Sequence, residues 1–366
     1  MGLAEERAAR AEPDAVGLFA FTLFSKLEGA VTAAMVHLGD RLGLYRALAD
    51  ADGPLTAAEL AARLGLQERW VREWAYNQGA AGLVVVDPAD DERLSLTPEA
   101  VAVLAVPDHP AFGMGSFHHL PETIAALEAL PQAFRTGIGL DYDAFGPGCA
   151  EGIARGFEPW YRTHLVPGVL PLLDGVVADL EAGAEVIDVG CGAGGAAMLV
   201  AEAFPRSRVR GYDISRHALE RAEARRVEAG LDNLSFHDPR TDPVPDDGSV
   251  RLALTLDCIH DMTDPASVIA GLRRAVGDDG TWLLVDIKAR PTYAENVARN
   301  PMASMMYGIS VLTCLSSSLS EPGGAGLGTL GLPPERAEAM AADAGFSRFR
   351  RLEVDHPVNA FYEIRP

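Results

Sequence analysis

The residues best placed to do chemistry begin at Asp188, in the run Asp188-Val189-Gly190-Cys191-Gly192-Ala193-Gly194, where glycine recurs at every second position after an acid. Glycine is needed where the backbone takes a positive φ, or where a ligand must approach the main chain without meeting a Cβ. No Lys-Ser/Thr pair follows, which excludes a phosphate-gripping P-loop, since that loop needs its lysine. A second acid, Asp213, falls 19 residues after Gly194. A carboxylate there can accept hydrogen bonds from both ribose hydroxyls of an adenosine. Enzymes of NAD share the ribose acid but do not need an acid before the glycines. Asp188 suits a ligand with an ammonium group instead of a pyrophosphate. An ordinary tight turn between strand and helix is the plain alternative.

Such residues need a parallel sheet to hold them. Val186 and Ile187 read as the end of a buried strand, apolar and β-branched with no helical period. Strands are predicted at 185–189, 207–212, 233–237, 250–256 and 281–287, with helices at 195–203, 215–229 and 265–276. Asp264 serves the last of these as N-cap and Pro265 as first residue. A helix over 333–344 then precedes an antiparallel pair, 346–354 and 358–364. Ligands of a parallel sheet sit at the carboxyl ends of its strands. Asp188 and Asp213 fall there, and so does Asp238 after the third strand. Asp238 either accepts a hydrogen bond from an adenine amino group or simply holds the turn Asp238-Pro239-Arg240.

With its acid, glycines and second acid, this stretch resembles the first motif of the class I S-adenosylmethionine-dependent methyltransferases. The resemblance implies an α/β, Rossmann-like sheet, mostly parallel with an antiparallel last strand. It implies S-adenosylmethionine as cofactor and S-adenosylhomocysteine as product. Ile214, Asp257 and Tyr161 complete the expected cofactor set beside Asp188, Gly190, Gly192, Gly194, Asp213 and Asp238.

The stretch Leu256 to Asp264 is similar to the small-molecule O-methyltransferases of plants and animals that carry a winged-helix dimerisation domain. In that family a His-Asp-aromatic-Ser/Thr-Asp segment follows the fourth strand, and its histidine is the general base. His260 and Asp261 match, while Met262 replaces the usual Trp. Asp286, ending the fifth strand, matches the acid that orients the base. A neutral imidazole can take a proton from a hydroxyl, and a carboxylate on its other nitrogen fixes the tautomer. The family's second acid has no counterpart in the loop 321–329, so a phenol gripped by two acids is not expected. From His260 onward the chain is closer to a group of bacterial methyltransferase-domain proteins whose substrates are mostly unassigned.

The N-terminal part reads differently. An aromatic-rich amphipathic run over 16–38 is either core or a dimer seam. Thr56 and Glu59 form a capping box for a helix over 57–64, a second helix spans 67–78, and short strands at 83–87 and 93–96 follow. Two helices and a two-stranded wing make a winged helix. Residues 1–110 hold 9 Lys/Arg against 17 Asp/Glu, a net of −8, and the whole chain is at −21. Binding to a nucleic-acid backbone starts with phosphate neutralisation, so a scaffold, with a homodimer as the assembly, is preferred over DNA binding.

The expected organisation is a winged-helix domain at 1–105, a helical linker and substrate lid at 106–183, and a cofactor domain at 184–366. Trp160, Met302, Met306 and Tyr307 are expected to line the acceptor's pocket, methionine being an adaptable apolar wall. The four cysteines lack metal-ligand or disulfide spacing, so neither a metal nor a disulfide is expected, and a reducing cytoplasm suits them. With no uninterrupted run of 18 apolar residues, no membrane span is expected. The function these features support is methylation of a hydroxyl on a small, largely apolar molecule. The competing readings are N-, C- or S-methylation by proximity alone, and a cofactor-sensing regulator that binds DNA.

Overall fold

Seven strands form the sheet that carries the site, in the order β5-β4-β3-β6-β7-β9-β8. In the computed structural model, which describes residues 2–366, these are β3 (Glu185–Val189), β4 (Arg208–Tyr212), β5 (Leu234–His237), β6 (Val250–Leu256), β7 (Val276–Ile287), β8 (Arg348–Leu352) and β9 (Asn359–Arg365). β3 pairs in parallel with β4 and β6, as do β4 with β5 and β6 with β7. β9 runs antiparallel to both β7 and β8. This is the doubly wound arrangement that the resemblance implies, with its strand order reversing between β3 and β6. A ligand crevice opens at such a reversal.

The central strands are buried on both faces, which is why they read as apolar runs without alternation. Val186, Leu252, Leu254 and Leu283 join one core layer with the helices before and after β3, while Ile187, Ala253, Trp282 and Leu284 join the layer on the other face. Trp282 is fully buried, and its indole N–H donates to Thr255 Oγ1 at 2.8 Å. Burying an aromatic of that size is affordable only when the N–H finds such a partner.

By compactness the chain divides into two units. One runs to Pro107 and adds Phe112–Leu120; the other takes Asp108–Ala111 and Pro121–Pro366. The stretch expected as a linker is therefore shared out, and its larger part folds with the sheet. Its main element is the helix Pro147–His164, continued by a π-turn at Leu165–Val169 that contains Pro167.

In the N-terminal unit, the helices Ala57–Leu64 and Glu68–Ala80 and the antiparallel strands β1 (Val85–Asp87) and β2 (Arg93–Ser95) make the expected winged helix. The capping box is formed, with the Glu59 N–H donating to Thr56 Oγ1 and the Thr56 N–H to Glu59. Val71 and Trp74 turn into the core, and Trp74 Nε1 donates to the Met35 carbonyl at 2.9 Å. Trp70 stays 79% exposed. The helix Pro13–Arg41 leaves Leu18, Phe19, Phe21, Phe24 and Leu27 exposed. By length and composition alone it is long and apolar enough to cross a membrane. It holds no unbroken apolar run, because Lys26 and Glu28 stand within it.

Candidate active site

At the carboxyl ends of β3, β4 and β6 lies a cavity of about 550 Å³. Its floor is the glycine turn. Gly190, Gly192 and Gly194 all take positive φ, at 74°, 54° and 78°. A Cβ on Gly190 would lie 2.6 Å from Cys258 Cβ, so the turn and the β6 loop approach as closely as they do only because position 190 is glycine. Gly190 and Gly192 line the cavity, whereas Gly194 does not. A Cβ at 194 would meet the Phe236 ring at 2.4 Å, so this glycine serves the packing of helix Gly195–Ala203 on the sheet.

Asp188 is 1% exposed, and its Oδ1 has no hydrogen-bond partner. Burial, helped by the charge of Asp213, pushes its carboxyl up to about 7, although an Ala197 N–H opposes this. Asp213 receives the Gly192 N–H on Oδ2 and the Ser215 N–H on Oδ1, each at 2.8 Å. Asp213 and the turn thus form one hydrogen-bonded unit, with Asp188, Asp213, Ile214 and Tyr161 on the cavity wall. Tyr161 is buried, which holds its phenol well above the usual range. Asp238 takes one of the two roles expected of it. Its carboxylate is engaged with Arg240 Nε and Nη2 at 2.9 and 2.8 Å and does not line the cavity. It holds the turn, and Pro239, Pro243 and Val244 line the wall on that side instead.

These residues fit an adenosine bearing an amino-acid tail. An unpartnered buried carboxylate oxygen suits an ammonium group, and a glycine floor exposes main chain to the ligand.

At the other end of the cavity the residues after β6 gather. Asp257 lines it and takes φ +56°, a strained setting for a residue with a Cβ. Its Oδ1 accepts from Asn359 Nδ2, its Oδ2 has no partner, and burial with the nearby Asp286 charge pushes it up to about 8. His260 Nδ1 donates to Asp286 Oδ1 at 2.7 Å, with the two residues 3% and 2% exposed. Asp286 Oδ1 also receives the Ile287 N–H at 2.8 Å, so the carboxylate is held from behind. Burial alone would lower the imidazole's pKa, but Asp286 and the sulfur of Cys314 outweigh it and hold His260 well above 6.5. Asp261 lines the cavity, accepts the Tyr142 hydroxyl on Oδ2 at 2.6 Å, and is pushed up to about 6 chiefly by burial. His260 itself does not line the cavity.

The glycine-rich loop braces this end. The Gly328 N–H donates to the His260 carbonyl at 3.0 Å, and the Ala325 N–H to the Thr263 carbonyl at 2.8 Å. Ser318 Oγ adds a bond to the Met262 carbonyl at 2.9 Å.

The expected acceptor pocket is not where the methionines are. Met302 is 45% exposed, and Met306 packs with Ala289 and Leu330, with Tyr307 against them. Trp160 belongs to the sheet core, stacked on His164 at 4.5 Å. None of the four lines the cavity. Its apolar walls come from Ile153 and Phe157 on one helix and from Met262, Val268 and Leu272 on and before another. The first wall had a signal in the sequence: Cys149, Ile153, Phe157 and Tyr161 recur at every fourth position, one face of a helix. Tyr142 had none. Nor did the gathering of His260, Asp261 and Cys314, whose ligand atoms lie within 4.8 Å of one another although no metal-ligand spacing marks them.

Comparison with known proteins agrees with this geometry. Residues 180–319 match a family described as a methyltransferase domain, and residues 30–105 match an Rv2258c-like winged HTH domain. The mitomycin biosynthesis 6-O-methyltransferase of Streptomyces lavendulae is 28% identical over 196 residues, 50% of this chain and 52% of that one. The polyketide synthase ThaQ of Burkholderia thailandensis is 32% identical over 107 residues, 28% of this chain and 5% of that one. The chain thus spans about half the first relative and a small part of the second. Human N-acetylserotonin methyltransferase, solved with S-adenosylmethionine, superposes with a TM-score of 0.67 at 17% identity, over 97% of this chain and 99% of that one. The chain joins a winged helix-turn-helix domain to a methyltransferase domain.

Proposed function

We propose that this protein transfers a methyl group from S-adenosylmethionine to a hydroxyl of a small, largely apolar molecule. The observation that carries the reading is the His260–Asp286 hydrogen bond of 2.7 Å beside a cavity with a cofactor floor and apolar walls. The similarity to a 6-O-methyltransferase supports the choice of oxygen. The cofactor supplies an electrophilic methyl on a sulfonium sulfur. The chain's own residues do the rest. Asp188 and Asp213 hold the two polar ends of the cofactor, and the glycine turn lets it approach the main chain. Ile153, Phe157, Met262 and Leu272 exclude water and seat the acceptor. His260, in its neutral form, takes the hydroxyl proton at Nε2, and Asp286 holds the ring and stabilises its positive charge. Positioning supplies much of the rate, because transfer needs only an in-line approach at carbon.

The test is release of S-adenosylhomocysteine with a panel of small aromatic alcohols, set against matched amines and thiols. Alcohols should be methylated, and His260→Ala should lower turnover about 10²–10⁴-fold with cofactor affinity nearly unchanged. Asp286→Asn should cost less, since the ring keeps its place. Full turnover in His260→Ala, or methylation of amines alone, would overturn the reading.

Three companion readings belong with this one. The chain acts as a homodimer through its N-terminal unit, supported by the exposed apolar side chains of Phe19, Phe21 and Phe24. It works without nucleic acid, supported by the acidic balance of residues 1–110, and in the cytoplasm, supported by four free thiols. Light scattering at micromolar concentration tests the first, and a monomer there would refute it.

A further inference from the structure

The acceptor end of the cavity holds one donor the methyl-transfer reading leaves unused. Cys314 is 8% exposed and opens the short helix Cys314–Ser318. Its sulfur, a carboxylate oxygen of Asp261 and a ring nitrogen of His260 lie within 4.8 Å of one another. A thiol, an imidazole and a carboxylate are the mixed set that zinc-class ions take, whereas magnesium and calcium prefer oxygen alone. Ligating histidines almost always give their other ring N–H to a carboxylate, which fixes the tautomer and raises the ring's basicity. His260 already does so, donating Nδ1–H to Asp286 at 2.7 Å and leaving Nε2 for a second partner.

Around a tetrahedral zinc, donor atoms stand about 3.3–3.8 Å apart, given bonds of about 2.0–2.3 Å. The three donors here, within 4.8 Å of one another, need to close by about 1.5 Å at most, through side-chain rotation of the cysteine and the aspartate. Of the three donors, Asp261 is the one that lines the cavity.

We propose that His260, Asp261 and Cys314 form a binding site for a thiophilic divalent cation of the zinc class. Binding releases the thiol proton and occupies His260 Nε2, so the ion and the base function exclude each other. This second clause rests on the general-base reading above; the first does not.

Cobalt(II) tests the site without any acceptor. The full-length protein, stripped with a chelator, is titrated with Co²⁺ and read by absorption. A saturable thiolate-to-cobalt charge-transfer band in the near ultraviolet, with one equivalent bound and displaced by Zn²⁺, is expected. Cys314→Ser and Cys314→Ala should both lose the band, while Cys191→Ser keeps it. Asp286→Asn should weaken the ion about 10–100-fold by freeing the ring. Absence of the band in the wild type, or a band of full strength in both Cys314 variants, would overturn the proposal. Neither result touches the base reading, which His260→Ala turnover decides alone.

Discussion

The two ends of the cavity are built in different ways. At the cofactor end one strand, one turn and one helix supply Asp188 and the glycines. The next strand adds Asp213, which the Gly192 N–H locks onto the turn at 2.8 Å. At the acceptor end, Tyr142, Asp261, His260, Asp286 and Cys314 come from four separate stretches of chain. They meet only because β6 and β7 are neighbours and because the loop 325–328 docks on the residues after β6. A local motif makes the first end a nearly rigid receptor. The second end depends on long-range packing, so its chemistry can diverge while the cofactor end stays as it is.

Separate disabling of the two ends sharpens that difference. Loss of His260 should remove turnover and spare cofactor binding. Asp213→Ala should do the opposite, weakening S-adenosylmethionine about 10–100-fold, the worth of hydrogen bonds to a charged group. Calorimetry reads this directly. If Asp213→Ala binds the cofactor as the wild type does, the ribose assignment falls. If His260→Ala loses affinity as well as rate, the two ends are not separate.

A smaller effect tests whether the cofactor end is rigid by packing. Gly194 takes φ +78°, and a Cβ there would press on the Phe236 ring at 2.4 Å. Gly194→Ala should therefore cost about 1–3 kcal/mol of stability, the range for overpacking a tight site. Gly308, inside the helix Ala303–Leu312, has no atom within 4 Å of an added Cβ. Gly308→Ala should raise stability by about 0.5–1 kcal/mol, because alanine loses less backbone freedom in a helix. Opposite shifts in thermal midpoint are expected. Equal shifts would mean that the Phe236 contact carries no constraint.

The same contrast explains what could be read from residue order. The helix 57–64, the strands 185–189 and 250–256 and the helix 195–203 fall at their predicted bounds, since caps, glycines and apolar runs are local signals. The glycine turn and Asp213 were legible for the same reason. The acceptor walls were not. Met302 and Met306 looked adaptable, but composition does not say which way a helix faces, and theirs turns away from the cavity. The stripe from Cys149 to Tyr161 was regular, yet it lay in a stretch that its prolines and glycines made look like a linker. β7 extends to Val276, five residues before its predicted start at 281. There Val276 pairs with Val250 and Thr281 with Leu252, and Gly277, Asp278, Asp279 and Gly280 stand between them as a bulge in the register.

The smallest expected effect concerns Asp188 and its proton. Burial and the Asp213 charge hold its carboxyl up to about 7, while in an unfolded chain an aspartate ionises near about 3.9. Between those values the folded state keeps a proton that the unfolded state has lost. This group's contribution to stability therefore falls as pH rises from about 4 to about 7. A cationic ligand inverts the preference, because an ammonium beside Asp188 Oδ1 favours the ionised form. Cofactor affinity should then climb as pH rises from about 5.5 to about 7, by at most about tenfold per pH unit, since one proton is displaced. Asp213 titrates in the same cavity, its pKa also raised by burial, so the comparison must be made with Asp188→Asn. In that variant the slope should flatten and the affinity should be lower throughout. Calorimetry in two buffers of different ionisation enthalpy counts the proton released. A wild-type affinity that does not change with pH, or a slope that survives in Asp188→Asn, would take the ammonium away from Asp188.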